Sequence, residues 1–238
     1  MNVQWEAAWQ AVIHHPLFGV AITLAVFQLS YAAYEKTRWV FLQPVLVSML
    51  MVVGVLLACG LGYEDYRLSA QMLTVMLGPA TVALAVPLYL NLRRIRELFG
   101  PIMITLLVGG ITATALGMAL AWAFGADRMV LMTLAPKSVT SPIAMLVAEQ
   151  IGGVVALAAV FVMITGILGA IFGPELLRRF GVQHPAARGM ALGLTAHAVG
   201  TAQALQESEE CGAFAALAMS LMGVLTAVLL PLAVSLSL

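Results

Sequence analysis

Eight apolar stretches, at about 17 to 34, 39 to 61, 72 to 90, 98 to 125, 129 to 150, 153 to 173, 187 to 206 and 211 to 237, occupy nearly all of the 238 residues. Most approach the roughly 20 residues that a helix needs to cross a bilayer. Their connections are too short to form a separate soluble body. In hydrocarbon each backbone N–H and C=O must find a partner within the protein, which leaves helices as the workable form for such runs. The chain therefore reads as all-α and polytopic, a single transmembrane domain over 1–238 with about seven or eight hydrophobic segments. Composition agrees: 62% of the residues are hydrophobic and 9% charged, with a mean hydropathy of +1.02, against about 25% charged in soluble domains.

Net charge is zero. No basic or acidic tail exists, so the chain offers nothing to a nucleic acid. Cys59 and Cys211 stand alone next to apolar runs and read as small buried residues. The 14 methionines show no metal-ligand spacing, and neither a metal nor a cofactor is expected. The chain has no GxSxG, HExxH or GxxxxGK[ST] motif, and we expect no enzyme. Met1 to Pro16 lacks the Lys/Arg cluster of a signal peptide, so the run that follows is expected to be a retained first helix.

The segments are of two kinds. Those near 17, 39, 98, 153 and 211 are largely uncharged and read as plain crossings. Those near 72, 129 and 187 are interrupted. The first carries Gly78, Pro79 and later Pro87, the second Pro136, Lys137 and Pro142, and the third Gly193, His197, Gly200 and Thr201. Proline removes a helical donor and glycine admits unusual backbone angles, which predicts helix breaks at Gly78, Pro79, Pro136, Pro142 and Gly200. Broken backbone survives at membrane depth only where protein or water covers it, so three broken segments predict a polar pocket where they meet.

Loop charge indicates the same irregularity. Basic residues cluster at Lys36 and Arg38, at Arg93, Arg94 and Arg96, and at Arg178, Arg179 and Arg188. If every segment crossed, the third cluster would face away from the first two, against the positive-inside rule. The simplest repair is that 129–150 does not cross fully, or enters and leaves as two half-helices. Gly78 to Ala85 also echoes Ser138 to Ala144, which suggests an internal repeat, parallel or inverted.

Lys137 is one of two lysines and lies in a broken apolar segment. Lysine at the centre of a span costs roughly 3 kcal/mol on insertion scales. Its ammonium, with the amides of the half-helix after Pro142, suits an anionic carboxylate, and Ser138, Thr140 and Ser141 add hydroxyls. The alternative is a lysine that snorkels to the interface or pairs with Glu149. His197 has the spacing to share a helix face with Gly189 and Gly193. Either it binds substrate or relays protons, or it is a packed core residue beside a close helix contact. Glu149 reads as interfacial, and Glu207, Glu209 and Glu210 as a solvated loop.

Three stretches resemble the LrgB/CidB family: Met76 to Tyr89 around Gly78-Pro79-Ala80-Thr81, Pro136-Lys137-Ser138-Val139-Thr140-Ser141-Pro142-Ile143-Ala144, and Ala196-His197-Ala198-Val199-Gly200-Thr201-Ala202. Gly212-Ala213-Phe214 to Met219 is also in keeping, and the resemblance runs over nearly the whole chain. Bacterial members are described as antiholin-like or holin-like modulators of murein hydrolase activity and lysis. Plastid relatives are similar to glycolate/glycerate translocators, and some bacterial pairs are linked to pyruvate uptake. The resemblance implies a bacterial cytoplasmic-membrane protein with a small LrgA/CidA-type membrane subunit as partner, homo-oligomerisation being left open. It also implies a small organic acid as substrate. Lys137 would neutralise the carboxylate, and Ser138, Thr140, Ser141, Thr81, His197 and Thr201 would donate or accept hydrogen bonds. Lysis regulation is the competing expectation.

Overall fold

Apolar runs without breakers become long helices, and the breakers decide where the chain turns. The computed structural model describes residues 2–37, 39 and 42–236, and at 2–7, 77 and 81 the backbone only. Among these, five helical stretches are long and apolar enough to cross a membrane: Phe18–Thr37, Gln71–Leu90, Phe99–Ala123, Val155–Arg179 and Glu209–Leu236. A sixth crossing results if Pro44–Cys59 and Tyr63–Ser69, bent by 115°, count as one. No strand occurs among the described residues. The chain divides into two compact units, Met1–Ala83 and Leu84–Leu238.

The first unit holds α1 (Asn2–Ile13), α2 (Phe18–Thr37), α3 (Pro44–Cys59), α4 (Tyr63–Ser69) and α5 (Gln71–Ala83). Gly60 ends α3 at φ 67, a left-handed angle that glycine adopts without strain. Gly19 in α2 lies against the backbone of Ser69 and Ala70, its amide bonded to Ser69 Oγ at 3.1 Å. Thr23 Oγ1 and Tyr66 Oη, 2.8 Å apart, make a second tie between α2 and α4. Arg38, counted in the first basic cluster, lies outside the described residues.

The break expected at Gly78 and Pro79 is absent, because α5 runs through both. A spanning helix can bridge the single hydrogen bond that a proline removes. The interruption comes at Leu84, three residues before Pro87. The Pro87 ring crowds the carbonyl four residues back, at Ala83, and that places the break there. Residues 78–83 are thus helical whereas 138–140 are not, and the echo between these stretches is not a structural copy.

The second unit begins with α6 (Ala85–Leu90), α7 (Leu92–Glu97) and α8 (Phe99–Ile104), which passes through a π-helical turn at Thr105–Gly109 into α9 (Gly110–Ala123). Then follow α10 (Arg128–Leu134), α11 (Ser141–Gln150), α12 (Val155–Arg179), α13 (Pro185–Glu207) and α14 (Glu209–Leu236). Its core gathers Leu106, Val139, Ala144, Val162, Leu194, Phe214 and Ala218.

Two segments of this unit turn back on themselves. A straight helix would hold Thr133 and Val154 about 30 Å apart. Instead the Val154 amide donates to Thr133 Oγ1 at 2.8 Å, and Gly153 lies against the Thr133 backbone. Residues 129–150 therefore leave and return as two half-helices. In α13 the same reasoning separates Arg188 from Glu207 by about 28 Å if straight. Yet Arg188 Nε and Nη2 donate to the two carboxylate oxygens of Glu207 at 2.8 and 2.9 Å. The reversal sits at His197 (φ 42, ψ −127).

The first return brings the two basic clusters of this unit to the same end. Arg94 Nη1 donates to Glu210 Oε2 at 3.2 Å, and its Nη2 lies 3.1 Å from His184 Nε2. The clusters at 93–96 and 178–188 accordingly share one end of the unit. Glu207 and Glu210, expected to be merely solvated, are paired with these arginines because the second hairpin returns to the basic end.

Candidate functional site

The first hairpin tip is built by its prolines. After Leu134 the chain makes turns in which the Lys137 amide bonds Leu134 O at 3.0 Å and the Val139 amide bonds Pro136 O at 3.3 Å. Thr140 is extended (φ −68, ψ 149) and precedes α11, where Pro142 occupies the first turn. Pro lacks the N–H that would be orphaned there, so Pro136 and Pro142 delimit the break as the sequence predicts.

Lys137 is half-buried, and its Nζ donates to Ala113 O of α9 at 3.0 Å. Its aliphatic stem crosses Gly117, where an added Cβ would come within 2.8 Å of Lys137 Cε. Glu149 is exposed and makes no ion pair among the described residues, so the Lys137–Glu149 alternative does not hold. A main-chain carbonyl holds an ammonium without neutralising it. Ser138 is buried next to the lysine, and Thr140 and Ser141 are half-buried.

The second tip carries His197, 3% exposed, with Nε2 at 3.0 Å from Val162 O of α12. A carbonyl only accepts, so Nε2 carries the proton. The imidazole lies on Gly166, where a Cβ would approach Cε1 within 2.6 Å. Among the described residues His197 is the single non-glycine at positive φ. Such an angle costs on the order of 1–3 kcal/mol and persists only where its surroundings hold it. Thr201 is buried, its hydroxyl donating to His197 O at 2.8 Å.

Two expectations change here. Gly189, Gly193 and His197 do not form one row: both glycines meet the Cys211 and Ala215 carbonyls of α14, while His197 faces α12. The positive φ turns the backbone between them. Nor is Gly200 the break; it lies in the returning arm, pressed against Leu192 O of the other arm, a contact a side chain would block.

The tips are brought to one core, in which Val139 of the first hairpin packs with Val162, whose carbonyl holds His197. Gly78, Pro79 and Thr81 lie in the other unit, and the Thr81 side chain is outside the described residues. A polar cleft of about 450 Å³ at the basic end is lined by Asn91, Arg93, Arg94 and His184, and an apolar groove of about 270 Å³ lies between α9 and α14. Neither is lined by Lys137 or His197.

Sequence reasoning missed Thr133, Gly117 and Gly166, which seat or close the hairpins. Thr133 is fully buried in a short apolar helix, a polar residue out of place that was the available signal. Thr133→Val should remove the hydrogen bond closing the first hairpin and cost about 1 kcal/mol. A lowered thermal midpoint in detergent would register it.

The model of the LrgB-like family matches residues 23–236. YwbG of Bacillus subtilis (strain 168), an uncharacterized protein, is 36% identical over 205 residues, covering 86% of this chain and 91% of its own. YxaC of the same organism, of which 94% is covered, is 36% identical over 215 residues, 90% of this chain. The antiholin-like protein LrgB of Bacillus mycoides (strain KBAB4) is 30% identical over 218 residues, 91% of this chain and 95% of its own. No solved structure matches.

Proposed function

The chain belongs to the LrgB-like family, and on that premise we propose that it is a carrier of small monocarboxylates, of the glycolate, glycerate and pyruvate class, in the bacterial cytoplasmic membrane. One observation carries the reading. The Lys137 ammonium sits on a re-entrant tip, bonded to a neutral carbonyl, with no carboxylate paired to it among the described residues. Charges within membrane segments are costly and are usually paired or functional. A carboxylate substrate supplies the missing partner, assisted by the amides that open α11 and by the hydroxyls of Ser138, Thr140 and Ser141. Opposed broken helices around a central site suit alternating access, by analogy with other broken-helix carriers. A small LrgA/CidA-type subunit is the expected partner.

The second reading is a holin-like or antiholin-like regulator of murein hydrolase activity and lysis. The name of the Bacillus mycoides relative favours it. Pore formation, however, assigns no role to a cation on a folded-back tip.

Proteoliposomes with and without the small subunit separate the two readings. Saturable uptake of labelled glycolate, glycerate or pyruvate is the expected result. Leakage of large dyes without uptake of any acid in either composition sinks the carrier.

A further inference from the structure

The second unit contains one architecture twice. Arg128–Arg179 and Pro185–Leu236 each span 52 residues and each consist of a hairpin followed by a long crossing helix. At an offset of 57 residues Ala156, Ala158, Ala159, Gly166 and Pro174 of α12 meet Ala213, Ala215, Ala216, Gly223 and Pro231 of α14. Gly166 and Gly223 also do the same job for opposite halves. A Cβ on Gly166 would meet His197 of the second hairpin within 2.6 Å, and one on Gly223 would meet Ile143 of the first within 2.9 Å. Each crossing helix thus seats the other module's hairpin.

The two modules run in opposite directions. The first hairpin closes at Thr133 and Val154, at the start of α12. The second closes at Arg188, whose Nη1 also donates to Val182 O at 3.2 Å, just beyond the end of α12. With 25 residues in α12, about 37 Å of helix separates the two mouths. The repeat is inverted, an arrangement that lets equivalent elements open toward opposite faces.

The mouths are closed differently. A neutral hydrogen bond and a backbone contact close the first. A two-pronged ion pair between side chains 18% and 22% exposed closes the second. The outgoing arm of α13 is fixed, its Gly189 and Gly193 pressed on α14 backbone. The returning arm, 198–207, is joined to it through the strained His197, paired with Arg188 through Glu207, and passes through the extended Ser208 into α14, where Leu205 lies on Gly212.

We propose that the returning arm 198–207 is a gate at the basic end, hinged at the two non-helical links His197 and Ser208 and latched by Arg188–Glu207. This deepens the carrier reading and rests on it, since the gate would admit or release the substrate held between the tips. Hinges of this kind sit at a few element-terminal residues that absorb a backbone change.

Two buried thiols report the gate without any transport. Cys211, 1% exposed, lies behind the latch with Sγ 3.8 Å from Glu207 Oε2. Ala204, fully buried one turn deeper on the returning arm, serves as the second site through Ala204→Cys. Membrane vesicles carrying Cys59→Ser protein, or Cys59→Ser/Cys211→Ser/Ala204→Cys protein, are treated with a membrane-impermeant maleimide at the basic face. Adding Arg188→Gln should speed labelling of both thiols roughly tenfold, as expected when a partly buried two-pronged pair is lost. Loss of a nearby cation slows thiol chemistry by itself, so faster labelling reports opening. The exchange Arg188→Glu/Glu207→Arg should return both rates toward those of the parent. Unchanged rates, acceleration of Cys211 alone, or acceleration that the exchange does not reverse would overturn the gate. Parallel uptake assays keep the two ideas apart: latch-dependent labelling without acid uptake removes the carrier and leaves the gate, whereas uptake with invariant labelling does the reverse.

Discussion

Lys137→Met protein should insert and assemble as the parent does and yet take up small carboxylates at less than about a hundredth of the parent rate. The methionine keeps an apolar stem across Gly117 and removes the charge. Two unit charges 4 Å apart interact by about 4 kcal/mol at an effective dielectric constant near 20. Losing even two-thirds of that is about a hundredfold in affinity. The fold should not suffer, because among the described residues the side-chain bond lost is the one to Ala113 O, and a charge paired with no carboxylate among them is lost with it. Uptake of labelled glycolate into proteoliposomes, with the thermal midpoint in detergent, tests both halves. Parent-level uptake removes Lys137 as the anion anchor, and an unfolded variant makes the lysine structural. Lys137→Arg is an informative companion: it keeps the charge, but its planar fork meets the space over Gly117 that fits a slender stem, so uptake should fall between the two.

Loop charges and prolines make one hairpin readable in the sequence. Pro136 and Pro142 bracket the break as expected, and the basic clusters indicate 129–150 as a segment that does not cross fully, because insertion cost and charge bias are both local properties of composition. The second hairpin was only half visible. Gly193, His197 and Gly200 marked 187–206 as irregular, but the reversal depends on an imidazole that finds a carbonyl in α12 and a glycine beneath it, 35 and 31 residues earlier in the chain. Such pairings are tertiary and leave no periodic trace. Pro79 misled for the opposite reason. A proline signals a missing donor, and whether the helix yields there depends on its neighbours; Pro87 disrupted its helix and Pro79 did not. The acids at 207 and 210 read as solvated because their arginine partners are remote in sequence, at 188 and 94.

Gly193→Val should cost stability on the order of 3 kcal/mol. A Cβ at this position would overlap the Ala215 carbonyl of α14 and stand 2.7 Å from Ala215 Cα. The obstacle is backbone, so no side chain can rotate away, and the outgoing arm must part from α14. Without a hydrophobic force between helices in lipid, close packing over small residues is what holds such a pair, and a separation of a few tenths of an ångström is felt along the whole contact. For a chain of this size the thermal midpoint in detergent should fall by about 10 °C. The returning arm should loosen with it, since Leu192 and Gly200 hold the arms together only while the outgoing arm keeps its place. Gly78→Ala is the matched control. Nothing lies within 4 Å of the added atom, and α5 is helical through it, so alanine should leave the midpoint unchanged or raise it slightly. Equal losses at both positions would mean that glycine acts here as a helix breaker, as sequence alone suggests, and not as a spacer between helices. A loss confined to Gly193 assigns the tolerance for glycine to packing against α14.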